Sequence, residues 1–168
     1  MMQKASIFND PGLSKQWHYI NDGDQTLVPN SKQGADVNCA EAWKKCTGDP
    51  SIIVAVMDEG VMWAHPDLQA NMWINEDEIY KSDKDNDGNG YKGDVYGYNF
   101  AQQTPTIDWS SEGDTGHGTH VAGTIAAVNN NGEGVCGIAG GSGNGDGVKI
   151  MSIQIFSGNY GTSPYSEA

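Results

Sequence analysis

The sequence predicts an α/β fold with a mainly parallel sheet, and three segments carry that prediction. Residues 52 to 57, IIVAVM, form a continuous apolar, β-branched run bounded by Pro50 and Gly60, the pattern of a strand buried on both faces. From His117 to Val128, small residues such as Gly118, Ala122 and Ala126 recur every four positions, which reads as a helix that another element approaches closely. Residues 148 to 156, VKIMSIQIF, read as a second buried strand.

The other segments fit around these three. Residues 1–34 are a polar lead-in with aromatics at Trp17 and Tyr19, expected to pack against the domain without much regular structure; residues 35–168 are the domain proper. A short helix is predicted over 39–46, closed by Gly48 and Pro50. In a helix Cys39 and Cys46 stand about 10.5 Å apart, too far for a disulfide. Cys136, in the apolar GVCGIAG, reads as a buried thiol. Residues 75–94 are acidic and rich in turn formers, GYNF at 97–100 fits a short strand, and NNNGEG ends the second helix.

Composition narrows the function. The 168 residues suit one domain with its own core, and 23 glycines are about twice the usual share. With 22 acidic against 9 basic side chains, the net charge of −13 opposes nucleic acid and anionic membranes and favours cations. No apolar run is long enough to span a membrane, and MMQKASIFND has no signal-like apolar core.

Chemistry concentrates at Asp58 and at GHGTH, residues 116–120. In an open α/β sheet functional groups collect at the carboxyl ends of strands, where Asp58 falls. His117 opens the small-residue helix, whose positive end disfavours imidazolium; a nearby carboxylate offsets that and holds the tautomer. Asp58 and His117 thus read as orienter and base. A zinc reading of His117 and His120 lacks an HExxH pattern and a third ligand.

The segments IIVAVMDEGV with HPDL at 65–68, GHGTHVAGTIAAVNNNGEGVCGIAG and VKIMSIQIF closely resemble the subtilisin-like serine proteases over roughly residues 35–156. The resemblance implies a three-layer subtilisin-like fold, here its N-terminal portion, and endopeptidase activity through an Asp-His-Ser triad to which this chain supplies Asp58 and His117. It implies that His120 is structural and buried in the helix, and that the chain after Phe156 is an edge where peptide substrate adds as a strand. Where the family has Ser or Thr after the aspartate, this chain has Glu59, expected to point away from the site. The family's oxyanion asparagine and its G-T-S-[MP]-A nucleophile motif belong far beyond residues 118–168. Ser163, in GTSPY, precedes the expected helix and is rejected as a substitute. The remainder of the catalytic domain is then a partner of this portion, and family habit implies an extracellular or periplasmic setting. A second function class stays open: a calcium-binding, non-catalytic module that binds peptides or partners.

Calcium is the implied cofactor. DKDNDGNGYKGD reads D-x-D-x-D-G-x5-D, placing Asp83, Asp85, Asp87, a carbonyl at Asn89 and Asp94 where carboxylates at alternate positions can converge on one ion. The resemblance implies a second cation position at Asp67, the carbonyl of Val128, and Asn130.

Overall fold

A computed structural model describes residues 7–158 and 160–161. In chain order the elements are α1 (Cys39–Ala42), β1 (Ile53–Glu59), β2 (Gly97–Asn99), α2 (His117–Ala126), β3 (Lys149–Ser157) and β4 (Tyr160–Gly161), with single 3-10 turns at Leu13–Lys15 and Gln69–Asn71. The sheet order is β1-β3-β2, and both neighbours of β3 run parallel to it; β4 turns back antiparallel on β3. The predicted strand, helix and strand are all present.

β1 and β3 pair in register from Ile53 opposite Lys149 to Asp58 opposite Gln154. Along β3 the period of two is plain: Ile150, Ser152 and Gln154 are fully buried on the face that carries α2, and the residues between them are half-buried. α2 crosses this face and closes a core of Val56, Val61, Leu68, Met72, Ala122, Ala126, Val148 and Ile150. The small residues every fourth position are what let the helix lie close to the sheet.

The expectation of a β1 strand buried on both faces is not met. Val56 is 3% exposed, but Ile53 and Met57 are 49% and 54% exposed, because β1 is an edge of the described sheet and its outer face has no covering layer among the described residues. α1 is also shorter than predicted: one helical turn, continued by looser turns to Cys46, whose amide bonds the Ala42 carbonyl. Cys39 and Cys46 are both free, as their spacing required, and Cys136 is a buried free thiol.

The described part of the lead-in, residues 7–34, is largely irregular and packs on the domain. Phe8, Leu13 and Tyr19 join Cys39, Trp43 and Cys136 in a second buried cluster. The Tyr19 hydroxyl donates to the Thr124 carbonyl of α2 at 2.9 Å, and the Trp43 indole to the Ile138 carbonyl at 2.8 Å. Burial of each large side chain in such a cluster is worth about 1.5–3 kcal/mol, so this segment braces the helix from the side away from the sheet.

Ile150→Ala, at the centre of the main core, should lower unfolding stability by about 3 kcal/mol in urea titration, whereas Met57→Ala on the open face should change it by less than about 1 kcal/mol.

Candidate active site

Asp58 stands at the carboxyl end of β1 and His117 is the first residue of α2. Their side chains meet: Nδ1 of His117 lies 2.8 Å from each carboxylate oxygen of Asp58. Asp58 Oδ1 also accepts the Glu59 amide at 2.7 Å, which fixes the carboxyl plane. Gly118 makes the approach possible, since a Cβ there would fall 2.1 Å from the Glu59 carbonyl oxygen. A carboxylate on Nδ1 selects the tautomer that carries its proton there and leaves the Nε2 lone pair free to take a proton. The Asp58 side chain is 18% exposed and that of His117 is 64%, so the base is open to an incoming group. The hydrogen bond and the charge of Asp58 raise the His117 pKa, with a smaller push from Glu59. These effects outweigh the loss of solvent, which alone would lower it.

Glu59 does not point away as expected. It folds onto the start of α2, where Oε2 accepts the amides of Thr115 and His117, each at 3.0 Å, and the Thr115 hydroxyl bonds both oxygens. Just there the pairing with β3 shifts, skipping Ile155, so that Glu59, the last residue of β1, stands opposite Phe156. Burial works to raise the Glu59 pKa, but amide hydrogen bonds, led by Thr115 and His117, bring it below the ordinary carboxylate value. His120 also departs from expectation: it is exposed, lining a groove beside α2 with His18 and His65 rather than sitting inside the helix packing. Neither His117 nor His120 joins a three-ligand metal group among the described residues.

The acidic loop brings together Glu78, Asp87 and Asp94, each with an oxygen within 4.8 Å of the others. Glu78 and Asp94 are buried. Asn89 sits beside them, its side-chain amide donating to Asp87 and Asp94 at 3.1 and 3.0 Å. Asp85 faces the loop's own backbone, accepting the amides of Gly88, Asn89 and Gly90. Asp83 is exposed and outside the group. Burial raises the Asp94 pKa, helped by the charges of Asp87 and Glu78. Glu78 itself accepts the amides of Asn86, Asp87 and Gly93, so it also shapes the loop.

Asp67 is buried at the far end of α2, where its carbonyl accepts the Val128 amide and its carboxylate accepts Asn131 Nδ2 at 2.8 Å and the Val135 amide at 2.9 Å. The neighbouring asparagine, not Asn130, therefore meets Asp67; the Asn130 amide donates instead to Asp10 at 2.7 Å. Burial, and to a lesser degree the charge of Asp10, raise the Asp67 pKa.

Glu78 and Asp10 escaped the sequence reading because neither belongs to a spacing pattern. Only loop closure delivers them, and the sole local hint was their acidity beside turn residues. The chain after Phe156 folds back into β4 through pairs Phe156–Gly161 and Ser157–Tyr160. Ser163 lies outside the described residues.

A sequence profile of the subtilase family matches residues 49–167, and the chain belongs to that family of serine proteases. It is 34% identical over 136 residues to subtilisin-like protease 1 of Plasmodium berghei, covering 80% of this chain and 20% of that protein. Against the extracellular protease of Xanthomonas campestris pv. campestris it is 36% identical over 153 residues, with 88% and 22% covered. The solved serine protease of Aeromonas sobria in complex with its chaperone superposes with a TM-score of 0.63 at 26% identity, over 90% of this chain and 21% of that one. A protease from Pseudoalteromonas arctica gives 0.57 at 32% identity, with 94% and 41% covered. The described sheet and helix are thus part of the subtilase α/β fold, and the chain spans about a fifth of the curated relatives it matches. No helix among the described residues is long and apolar enough to cross a membrane.

Because Asp58 raises the His117 pKa, its replacement should lower it. In Asp58→Asn the ring should titrate at lower pH than in the unaltered protein, read by NMR of the imidazole protons; an unmoved titration would contradict the role given to Asp58.

Proposed function

We propose that Asp58 and His117 are two members of the triad of a serine endopeptidase that hydrolyses peptide bonds in polypeptide substrates. The observation that carries this reading is the 2.8 Å contact of His117 Nδ1 with both oxygens of Asp58, at a strand end facing a helix start. Asp58 holds the ring with its Nε2 lone pair outward, and stabilises the imidazolium formed when Nε2 takes a proton from a nucleophilic serine hydroxyl. That serine attacks the substrate carbonyl carbon to form an acyl-enzyme, His117 returns the proton to the leaving amine, and water completes the cycle by the same route. The serine and the oxyanion donors come from the remainder of the catalytic domain. The exposed apolar face of β1, with Ile53 and Met57, supports such a second half, since burying that face is favourable. The base works in its neutral form, so the raised His117 pKa places the rise of activity above the pH of an ordinary histidine. The setting is extracellular or periplasmic, which the similarity to an extracellular protease supports.

A fluorophosphonate should label the nucleophile of the full-length protein and fail to label it in His117→Ala; labelling at the unaltered rate in that variant would refute the assigned base.

Calcium is the second part of the reading. Glu78, Asp87 and Asp94 fit a hard cation: they are converging carboxylates, two of them buried, whose mutual repulsion the ion would relieve. Asn89 stands ready beside them, Asp85 serves as the loop's internal acceptor, and Asp83 remains at the rim. Bound there, calcium would stiffen the loop and take no part in catalysis. A second calcium position is proposed at Asp67 with the Val128 carbonyl and Asn130; in this structure the Asp67 carboxylate accepts Asn131 Nδ2 and the Val135 amide, and the Asn130 backbone amide donates to Asp10. Saturating calcium against EGTA should raise the melting temperature by about 5 °C, and Asp94→Asn should remove most of that rise; equal melting curves in all four conditions would reduce the loop to an acidic turn.

A further inference from the structure

We infer that Glu59 is a positioning residue for the general base, holding the main chain of His117 while Asp58 holds its ring. The inference rests on the reading of His117 as the base.

The geometry begins in the strand. Successive side chains of a regular strand face opposite ways, so Asp58 and Glu59 should not reach the same neighbour. The regular pairing breaks at this point and β1 ends with Glu59: Asp58 opposes Gln154, Glu59 opposes Phe156, and Ile155 of β3 is skipped. Both carboxylates then arrive at the first turn of α2. That turn needs an acceptor, because the first amides of a helix have no partner within it. Gly116, the capping residue, has φ 76° and no side chain to offer, and the first turn contains no acidic residue. Glu59 supplies what is missing by accepting the amides of Thr115 and His117 at 3.0 Å and the Thr115 hydroxyl. The Ser or Thr usual at this position in the family has neither a second oxygen nor a charge.

Two consequences follow from this placement. Imidazole and backbone of one residue are pinned by adjacent residues of one strand, which removes the freedom of the helix start to pivot about the Asp58 contact. A second negative charge also stands near the ring and favours its protonated form. Among the described residues, the charged groups on the elements beside His117 include Glu112, exposed in the loop before α2. From β1 it meets Asp58 and Glu59. On β3 the only ionisable side chain is Lys149, at the opposite end of the strand. In the preceding loop Asp114 is held by the amides of Ser111 and Gly158. One turn along its own helix stands His120.

Substitution separates the tether from the charge. Glu59→Gln keeps a carbonyl acceptor and loses the charge; Glu59→Ala loses both. In the full-length protein, E59Q should move the acidic limb of the kcat/KM profile, and the His117 ring titration seen by NMR, about 0.5 unit to lower pH. E59A should show the same displacement and lose roughly tenfold in plateau kcat with KM little changed, a larger loss than in E59Q. An unmoved limb and ring titration in E59Q, or a plateau in E59A equal to that of the unaltered enzyme, overturns the role. If E59A does not fold, Glu59→Asp decides: its shorter side chain keeps the charge and withdraws the oxygen from the Thr115 and His117 amides, so kcat should fall with the ring titration little moved, and an unaltered kcat overturns the tether. His117→Ala, inactive, establishes the base separately; full activity in that variant sinks the peptidase reading and this one with it.

Discussion

The site depends on one close approach, that of the carboxyl end of β1 to the amino end of α2. The parallel pairing of β1 with β3 fixes where β1 stops, and the core between sheet and helix fixes where α2 starts. Only a residue without a Cβ at position 118 lets the two ends come together, because its neighbour is the Glu59 carbonyl itself. Given that contact, the Asp58 carboxylate and the His117 ring have little choice of geometry. A core of ordinary aliphatic packing therefore sets an electrostatic arrangement to within a fraction of an ångström.

The excess of acid over base in this chain is handled locally, by amides more than by ion pairs. Glu59 takes amides at a helix start, Glu78 and Asp85 those of a glycine-rich loop, and Asp10 and Asp67 those of the segment after α2. Each carboxylate thereby satisfies backbone donors that irregular structure leaves unpaired. The cost is repulsion where several converge, as at Glu78, Asp87 and Asp94 and, more weakly, between Asp10 and Asp67. Those are also the places where a hard cation finds its ligands.

The sheet is finished on one side only. Residues alternate cleanly along β3, and the inner ones are sealed by α2, while Ile53 and Met57 of β1 face outward. A continuous apolar run such as IIVAVM belongs to a strand covered on both faces, so its sequence carries the imprint of a layer that the described residues do not provide.

Much of this was determined by sequence alone. The strands around 53–58 and 149–157, the helix from His117, and the placing of Asp58 and His117 at element ends all follow from apolar runs, small-residue spacing and flanking Gly and Pro, which are local properties. The tertiary structure decided the rest. Glu59 turned inward because the start of α2 offers it the amides of Thr115 and His117, and those donors lie more than fifty residues away in the chain. Glu78 joined Asp87 and Asp94, and Asn131 rather than Asn130 met Asp67, because loop closure selects which side chains converge. The open side of α2 left His120 exposed, since burial depends on what lies across from a residue and not on its own spacing. Local pattern determines what an element is and where it begins; only the pairing of distant segments determines what its ends will face.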